Sequence, residues 1–179
     1  ALSSAASDVY KRQRQLEEVT FRRTVIPVQE LLDAAGKYFK KLMKNRPERI
    51  ELEIEPMEAK VIGDVNQLRF LLENLIDEAL TVREDGLIRL QARQDNEYIR
   101  FLFTDTRREK SVEELNQLFY PNLARMTSGE KGELRGTEYL VCKQIIRDHD
   151  EFAGRRGCRI NAEPAEGGGF TVYFTIPRR

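Results

Sequence analysis

Apolar residues recur at three- and four-residue spacing over 63–80, and this spacing predicts one amphipathic helix. Asp64 is expected to cap its first turn, and Gln67 to reach back to that cap. Asn74 and Glu78 are four residues apart at the edge of the apolar stripe, so they lie one above the other. They could line a cleft and hold a cation, or they could be solvated rim residues. The stripe consists of Leu68, Leu71, Leu72, Leu75, Ile76, Ala79 and Leu80.

The remaining pattern predicts further helices and a set of strands. Helical spacing runs from Pro27 to Leu42, with a short helix over 112–119 and a longer one over 137–149. Alternating apolar and polar positions predict strands over 50–54, 87–94, 98–104, 159–162 and 170–176. The second and third of these form a hairpin. The pattern indicates a two-layer α/β sandwich, with a mixed, mostly antiparallel sheet covered by helices on one face.

One residue and one longer segment lie outside the interiors of the predicted helices and strands, and both are candidates for function. Asp105 stands at the end of the second hairpin strand, where polar loop begins. Between 120 and 136 the periodicity lapses into a stretch with proline, serine and several glycines. A loop of this length inside a compact domain is usually functional or mobile.

Composition excludes several classes of function. The 179 residues suffice for one domain, and 30 basic residues balance 30 acidic ones, so charge gives no reason to expect nucleic acid or a membrane surface as a partner. No apolar run reaches membrane-spanning length. Two cysteines are too few for a disulfide framework and indicate a reduced, cytoplasmic compartment. The single histidine, His149, excludes a histidine-based metal cluster, and its place at a predicted helix end favours the surface.

The N-terminal residues differ in character from the rest. Residues 1–13 contain the hexapeptide DVYKRQ, which resembles one reading frame of a transposon-end sequencing adapter. We expect 1–13 to be an adapter-derived scar or a disordered tail. A linker or helix remnant is expected over 14–23, and the domain over 24–179. Under the scar interpretation, natural upstream sequence has been lost.

The order of motifs resembles the catalytic ATP-binding domain of sensor histidine kinases, within the superfamily shared with gyrase, Hsp-type chaperones and mismatch-repair ATPases. GDVNQLRFLLENLIDEAL is similar to the asparagine-containing helix of that family, and FLFTDT to the strand that carries its adenine-binding aspartate. VEELNQLFYP resembles the segment before the family's closing loop, and GTEYLVCKQIIRDH its glycine-plus-helix motif. INAEPAEGGGFTVYFTIP resembles its closing hairpin.

This resemblance implies a nucleotide cleft of the Bergerat type, which takes ATP and Mg²⁺. The aspartate that hydrogen-bonds the adenine amino group corresponds to Asp105. The glycine motif, whose backbone amides approach phosphate oxygens at a helix N-terminus, corresponds to Gly136 and Thr137. The metal-holding asparagine corresponds to Glu78 or, in a register shifted by one turn, to Asn74.

The sequence departs from the family pattern at the nucleotide contacts. Where the family has D-x-G-x-G after its aspartate, Arg107 and Glu109 replace both glycines, so the backbone cannot approach adenine in the same way. Glu138 replaces the second glycine of the later motif and would direct a carboxylate toward phosphates. Glu78 is a competent Mg²⁺ ligand, yet it adds negative charge beside a polyphosphate.

Two hypotheses follow from the resemblance. The first is the ATP-binding catalytic domain of a two-component sensor histidine kinase, with 120–135 as the loop that closes over nucleotide. It would transfer phosphate from ATP to a histidine on a separate upstream dimerisation domain, and a response regulator would be a further partner. His149 lies in the wrong element to be that phosphoacceptor. The second is a pseudokinase-type interaction or nucleotide-sensing module without catalysis, which the lost glycines favour.

Overall fold

The computed structural model describes residues 20–121, 127–128 and 134–179. Its helices are α1 (Val28–Met43), α2 (Val65–Ala79), α3 (Val112–Asn116) and α4 (Glu138–Phe152). Its strands are β1 (Thr24–Pro27), β2 (Ile50–Ile54), β3 (Lys60–Gly63), β4 (Gly86–Asp95), β5 (Tyr98–Asp105), β6 (Thr127–Ser128), β7 (Leu134–Arg135), β8 (Ile160–Pro164) and β9 (Phe170–Pro177).

Five strands form the main sheet, in the order β2-β4-β5-β9-β8. Only the β2–β4 pair within it is parallel, and the three other pairs are antiparallel. Strands β4 and β5 are the predicted hairpin, in a register that pairs Asp95 with Tyr98 and Ile88 with Asp105. Strand β9 pairs Phe170 with Asp105, so the end of β5 faces the start of β9.

A smaller two-stranded sheet joins the N-terminal segment to the strand before α2. Strands β1 and β3 are antiparallel and pair Thr24 with Gly63. A single bridge between Val61 and Arg178 connects this sheet to the end of β9. The small sheet therefore places the N-terminus of α2 beside the main sheet.

The core lies between one face of the main sheet and helices α1, α2 and α4. Alternate residues along most of β4 and β5 are buried in it, which is the period-two burial that the sequence predicts. Strand β9 differs, because seven of its eight residues are buried. Phe101 and Phe174 stack in its centre with ring centroids 4.8 Å apart. On α2 the whole predicted apolar stripe is buried. The predicted two-layer sandwich with a mixed, mostly antiparallel sheet is confirmed.

The structure corrects several local predictions. Strands β1 and β3 are additional to the predicted set, α3 ends at Asn116 instead of 119, and α4 continues to Phe152. Residues 20–23 are not helical, and the rest of the predicted 14–23 remnant lies outside the described residues. Most of the predicted closing loop, 120–135, also lies outside them, and its described part consists of residues 120 and 121 and the two-residue strands β6 and β7. Over the described part of the chain, no helix has the length and apolar character needed to cross a bilayer.

Candidate functional site

Helix α2 begins at Asp64, whose carboxylate caps the first turn as predicted. One oxygen accepts hydrogen bonds from the backbone N–H groups of Asn66 at 3.0 Å and Gln67 at 3.1 Å. The other accepts from the backbone N–H of Arg22 at 2.9 Å. The Gln67 side chain does not reach back to the cap, because it is buried and both its amide atoms lack a hydrogen-bond partner among the described residues. The cap therefore rests on Asp64 alone.

Asn74 and Glu78 lie one turn apart in the second half of α2. Asn74 is buried, and its Nδ2 donates a hydrogen bond of 2.7 Å to the carbonyl of Phe70. The amide oxygen is therefore the atom of Asn74 that could meet a cation. Glu78 is half-buried. Burial raises the pKa of the Cys142 thiol on α4, and the charges of Glu138 and Glu78 raise it further, so both carboxylates lie near the contact between α2 and α4.

A third carboxyl group, that of Asp77, belongs to the same region. Its Oδ1 accepts a hydrogen bond of 2.6 Å from the Tyr38 hydroxyl on α1. Burial raises the pKa of Asp77, the Tyr38 hydrogen bond lowers it, and the charge of Glu138 raises it. Glu138 Oε2 is itself buried without a hydrogen-bond partner in the described part of the chain. Negative charge thus accumulates where α2 meets the first turn of α4.

These carboxylates do not make a metal site by themselves. Over 20–121, 127–128 and 134–179, no group of three or more His, Cys, Asp and Glu side chains is arranged to hold a metal ion. Mg²⁺ is commonly bound through one or two carboxylates together with phosphate oxygens and water. A cation at Glu78 and Asn74 would therefore need ligands that arrive with a phosphate compound.

Gly136 and Thr137 lie at the N-terminus of α4. Gly136 has a φ of +78°, a left-handed conformation that glycine adopts without steric cost. Thr137 is the N-cap residue and is buried, and its side chain forms no capping hydrogen bond. The N-terminal end of a helix attracts anions through its backbone N–H groups and its dipole. The predicted phosphate contact thus lies at the N-terminus of a 15-residue helix that has no side-chain cap. The carboxylate of Glu138, in the first turn, would repel a phosphate there.

Asp105, the predicted adenine contact, is engaged by an arginine two residues later. The side chains of Asp105 and Arg107 are only 6% and 1% exposed. Arg107 Nε donates to Asp105 Oδ1 at 2.9 Å, and Arg107 Nη2 donates to Asp105 Oδ2 at 2.9 Å. The backbone N–H of Arg107 also donates to Oδ1 at 3.0 Å. Both carboxylate oxygens are therefore taken in a bidentate, charge-assisted pair.

The rest of the Arg107 guanidinium is bound to backbone carbonyls around the C-terminus of α2. Its Nη2 donates to Ala79 at 2.6 Å, and its Nη1 donates to Val82 at 2.9 Å and to Glu84 at 3.0 Å. An arginine side chain has five N–H donors, and all five are satisfied here. Arg107 consequently ties the end of β5 to the end of α2 and to the loop before β4.

Two glycines allow the chain to pack this closely. A Cβ built on Gly86, which has a φ of +145°, would lie 2.6 Å from Cγ of Arg107. A Cβ built on Gly169, which has a φ of +85°, would lie 2.1 Å from the carbonyl oxygen of Asp105. Gly86 thus makes room for the Arg107 stem, and Gly169 lets the start of β9 approach the end of β5.

His149 is not at the surface, contrary to the prediction from its place near a helix end. Its side chain is 0% exposed, and Nε2 accepts a hydrogen bond of 3.1 Å from the backbone N–H of Asp64. Nδ1 lies 2.8 Å from the carbonyl of Ile145, to which it must then donate. The ring packs edge-on against Phe21 with centroids 4.9 Å apart. His149 therefore joins α4 to the start of α2.

The site residues thus surround the C-terminal half of α2 and the first turn of α4. The sequence profile of the family described as histidine kinase-, DNA gyrase B-, and HSP90-like ATPase matches residues 63–179. The chain belongs to this family. The match begins at the end of β3 and includes α2, Asp105 and Gly136, so every predicted site residue lies inside the ATPase family region.

Solved structures with the same fold include histidine kinase catalytic domains. The catalytic domain of histidine kinase ThkA has a TM-score of 0.67 at 21% identity, over 89% of this chain and 97% of that one. The mycobacterial sensor histidine kinase MprB has a TM-score of 0.66 at 19% identity, over 88% of this chain and 99% of that one. ThkA in complex with response regulator protein TrrA has a TM-score of 0.68 at 17% identity, over 96% of this chain and 47% of that one. No curated protein matches the sequence significantly.

These matches confirm the predicted family and the predicted fold of a histidine kinase catalytic domain. The residues of this ATPase domain fit ATP unevenly. At the predicted phosphate contact, Gly136 precedes a helix N-terminus without a side-chain cap. At the predicted adenine contact, the Asp105 carboxylate is buried under Arg107 and offers no exposed acceptor to an amino group. The D-x-R sequence in place of D-x-G was the signal for this difference.

Proposed function

We propose that the chain is the ATP-binding catalytic domain of a two-component sensor histidine kinase, acting in the cytoplasm. Its substrate in this proposal is Mg·ATP, and its partner is a phosphoacceptor histidine on a separate upstream domain. A response regulator would then receive the phosphoryl group. Membership of the ATPase family and the histidine kinase fold support this proposal.

The observation that carries the proposal is the N-terminus of α4. Gly136 is left-handed, Thr137 contributes no capping side chain, and the helix packs against α2 near Glu78. Helix N–H groups at this point can bind phosphate oxygens directly, and Gly136 lets the backbone come close to them. The negative charges of Glu78 and Glu138 make a divalent cation necessary for a polyphosphate to bind.

Asn74 and Glu78 are the residues that we propose for that cation. The Asn74 amide oxygen and the Glu78 carboxylate are both oxygen ligands, as Mg²⁺ prefers, and they lie on one edge of α2. Mg²⁺ would supply charge neutralisation when bound with ATP. The contribution of the chain would be to hold and orient the phosphates, which is most of what a protein does in phosphoryl transfer.

Calorimetric titration with Mg·ATP and with Mg·tripolyphosphate, on the full chain, tests this proposal. We expect both ligands to bind at or below millimolar concentration, and to bind much more weakly when EDTA removes the metal. Gly136→Val should weaken both, because a β-branched residue cannot adopt the left-handed conformation without strain. Gly167→Val is the matched control, since Gly167 is also left-handed, at +85°, in an open loop. The proposal would be refuted if the wild-type chain bound neither ligand at several millimolar.

A second candidate function has one observation in its favour. The buried Asp105–Arg107 pair removes the predicted base contact, and this favours an interaction or nucleotide-sensing module without catalysis. The two functions differ in phosphoryl transfer. We expect a catalytic domain to pass radiolabelled γ-phosphate from ATP to a phosphoacceptor-histidine domain supplied in the same tube. ATP binding without any transfer would favour the second candidate.

A further inference from the structure

We infer that the Arg107 side chain occupies the base-binding end of the nucleotide site. An adenine must therefore compete with Arg107 for hydrogen bonds to the Asp105 carboxylate. The inference rests on the proposed function, because it assumes that a nucleotide binds with its phosphates at α4. It adds a ligand preference: a nucleotide polyphosphate held by its phosphates, with little discrimination between bases.

Arg107 blocks access to Asp105. Its carboxylate and the Arg107 guanidinium are 6% and 1% exposed, so the guanidinium covers the acceptor that a base would need. Both oxygens already accept N–H groups from Arg107, at distances between 2.9 and 3.0 Å. An adenine amino group can therefore reach Asp105 only after Arg107 has moved away.

Arg107 is a stronger hydrogen-bond donor to Asp105 than an adenine amino group would be. Arg107 offers Asp105 a bidentate pair between full charges, whereas an adenine amino group offers one neutral N–H donor. Charge-assisted bonds are about twice as strong as neutral ones. Moving Arg107 would also take its N–H groups away from the carbonyls of Ala79, Val82 and Glu84. Arg107 therefore keeps Asp105, and the adenine base adds little to the affinity for a nucleotide.

The backbone around Arg107 is shaped to accept the arginine side chain. Gly86 has a φ of +145°, and a Cβ on it would approach Cγ of Arg107 to 2.6 Å. A side chain at position 86 would therefore push Arg107 from its place. The loop before β4 also turns the Val82 and Glu84 carbonyls toward the guanidinium. These features are independent of Asp105, and they identify the position of Arg107 as part of the fold.

The test compares ligands with and without a base on the full chain. Mg·ATP, Mg·GTP and Mg·tripolyphosphate are titrated by calorimetry into wild type and Arg107→Gly, with Arg108→Gly as the control. Arg108 is the neighbouring arginine, but its side chain is 56% exposed and it pairs with Glu84 at the surface. Circular dichroism establishes that each variant is folded.

We expect wild type and Arg108→Gly to bind the three ligands with affinities that agree within a few-fold. Arg107→Gly should bind Mg·ATP at least about tenfold more tightly than wild type, the equivalent of one hydrogen bond to a charged group. Its affinity for tripolyphosphate should not change. Arg107→Lys, which keeps the charge but loses the bidentate geometry, should give a smaller gain.

The outcomes separate the two proposals. The inference fails, and the proposed function survives, if wild type binds ATP at least about tenfold more tightly than tripolyphosphate and Arg107→Gly brings no gain. The proposed function fails if the wild-type chain binds none of the three ligands at several millimolar. Binding of ATP by Arg107→Gly alone would overturn both, because the inference requires that the wild-type chain hold a polyphosphate by its phosphates. Where Arg107→Gly does not fold, the ratio of ATP to tripolyphosphate affinity in wild type decides the matter.

Discussion

Replacement of His149 is the most direct test of how the site is attached to the core. The ring is 0% exposed and is the acceptor for the backbone N–H of Asp64, the residue that starts α2. His149→Phe keeps most of the volume but leaves that N–H without a partner. A buried unsatisfied donor costs about 1–3 kcal/mol. His149→Ala adds a cavity of aromatic size, for which about 3–5 kcal/mol is typical.

Urea denaturation followed by circular dichroism measures both changes. We expect the midpoint to fall in the order wild type, His149→Phe, His149→Ala, without a change in the slope of the transition. Arg147→Ala is the control on the same helix, because Arg147 is exposed, and its effect should be within about 0.5 kcal/mol. A His149→Phe variant as stable as wild type would show that the Asp64 hydrogen bond contributes nothing. An Ala variant that loses less than about 1 kcal/mol would contradict the burial of the ring.

Two further predictions concern pH dependence and backbone contact. Burial raises the pKa of Asp77 in the folded chain, so its contribution to stability is complete below the unfolded pKa and is lost as pH rises through the raised value. Asp77→Asn keeps an oxygen acceptor for the Tyr38 hydroxyl but cannot ionise. We therefore expect the urea midpoint of this variant to fall less between acid and neutral pH than that of wild type. An equal fall in the two proteins would contradict this prediction. Gly169→Ala should destabilise by more than about 2 kcal/mol, because its Cβ would lie 2.1 Å from a β5 carbonyl oxygen. Gly167→Ala, with the same φ of +85° and open space around it, should lower the free energy of unfolding by only about 1 kcal/mol. Equal losses of stability in the two variants would contradict a steric clash at position 169.

The elements that the sequence predicted well are those with many periodic positions. Helix α2 and the β4–β5 hairpin each repeat their pattern over 15 or more residues, so the buried face is defined several times over. Strands β1 and β3 have four residues each and mixed exposure, and their partners are about forty positions apart in the sequence. A four-residue segment carries too little periodicity to be recognised. The burial of His149 had a signal, since Cys142, Ile145, Ile146 and His149 share one helical face.

The site was predicted less completely because its decisive contacts are not local. Nothing in the periodicity indicates that the Arg107 side chain would reach the carbonyls of Ala79, Val82 and Glu84. Backbone carbonyls look alike in every sequence, and only the fold brings these three together. The side chain of Gln67 illustrates the same limit, since its spacing fitted a capping box, while the fold buried it with no hydrogen-bond partner in the part of the chain that the structure describes.

Asp105 is both the predicted base contact and one half of a buried ion pair, and this limits which experiments can report on base recognition. In this chain Asp105 is half of a buried ion pair that joins β5, α2 and the loop before β4. Removing one member of a buried pair leaves the other charge uncompensated and typically costs about 3–5 kcal/mol. Loss of ATP binding in Asp105→Asn would thus follow from damage to the fold as readily as from loss of a base contact. Arg107→Gly also removes the structural pair, but it separates the two effects because it exposes the carboxylate to a base. Tighter ATP binding accompanied by lower stability in that variant is the combination that a purely structural pair cannot produce.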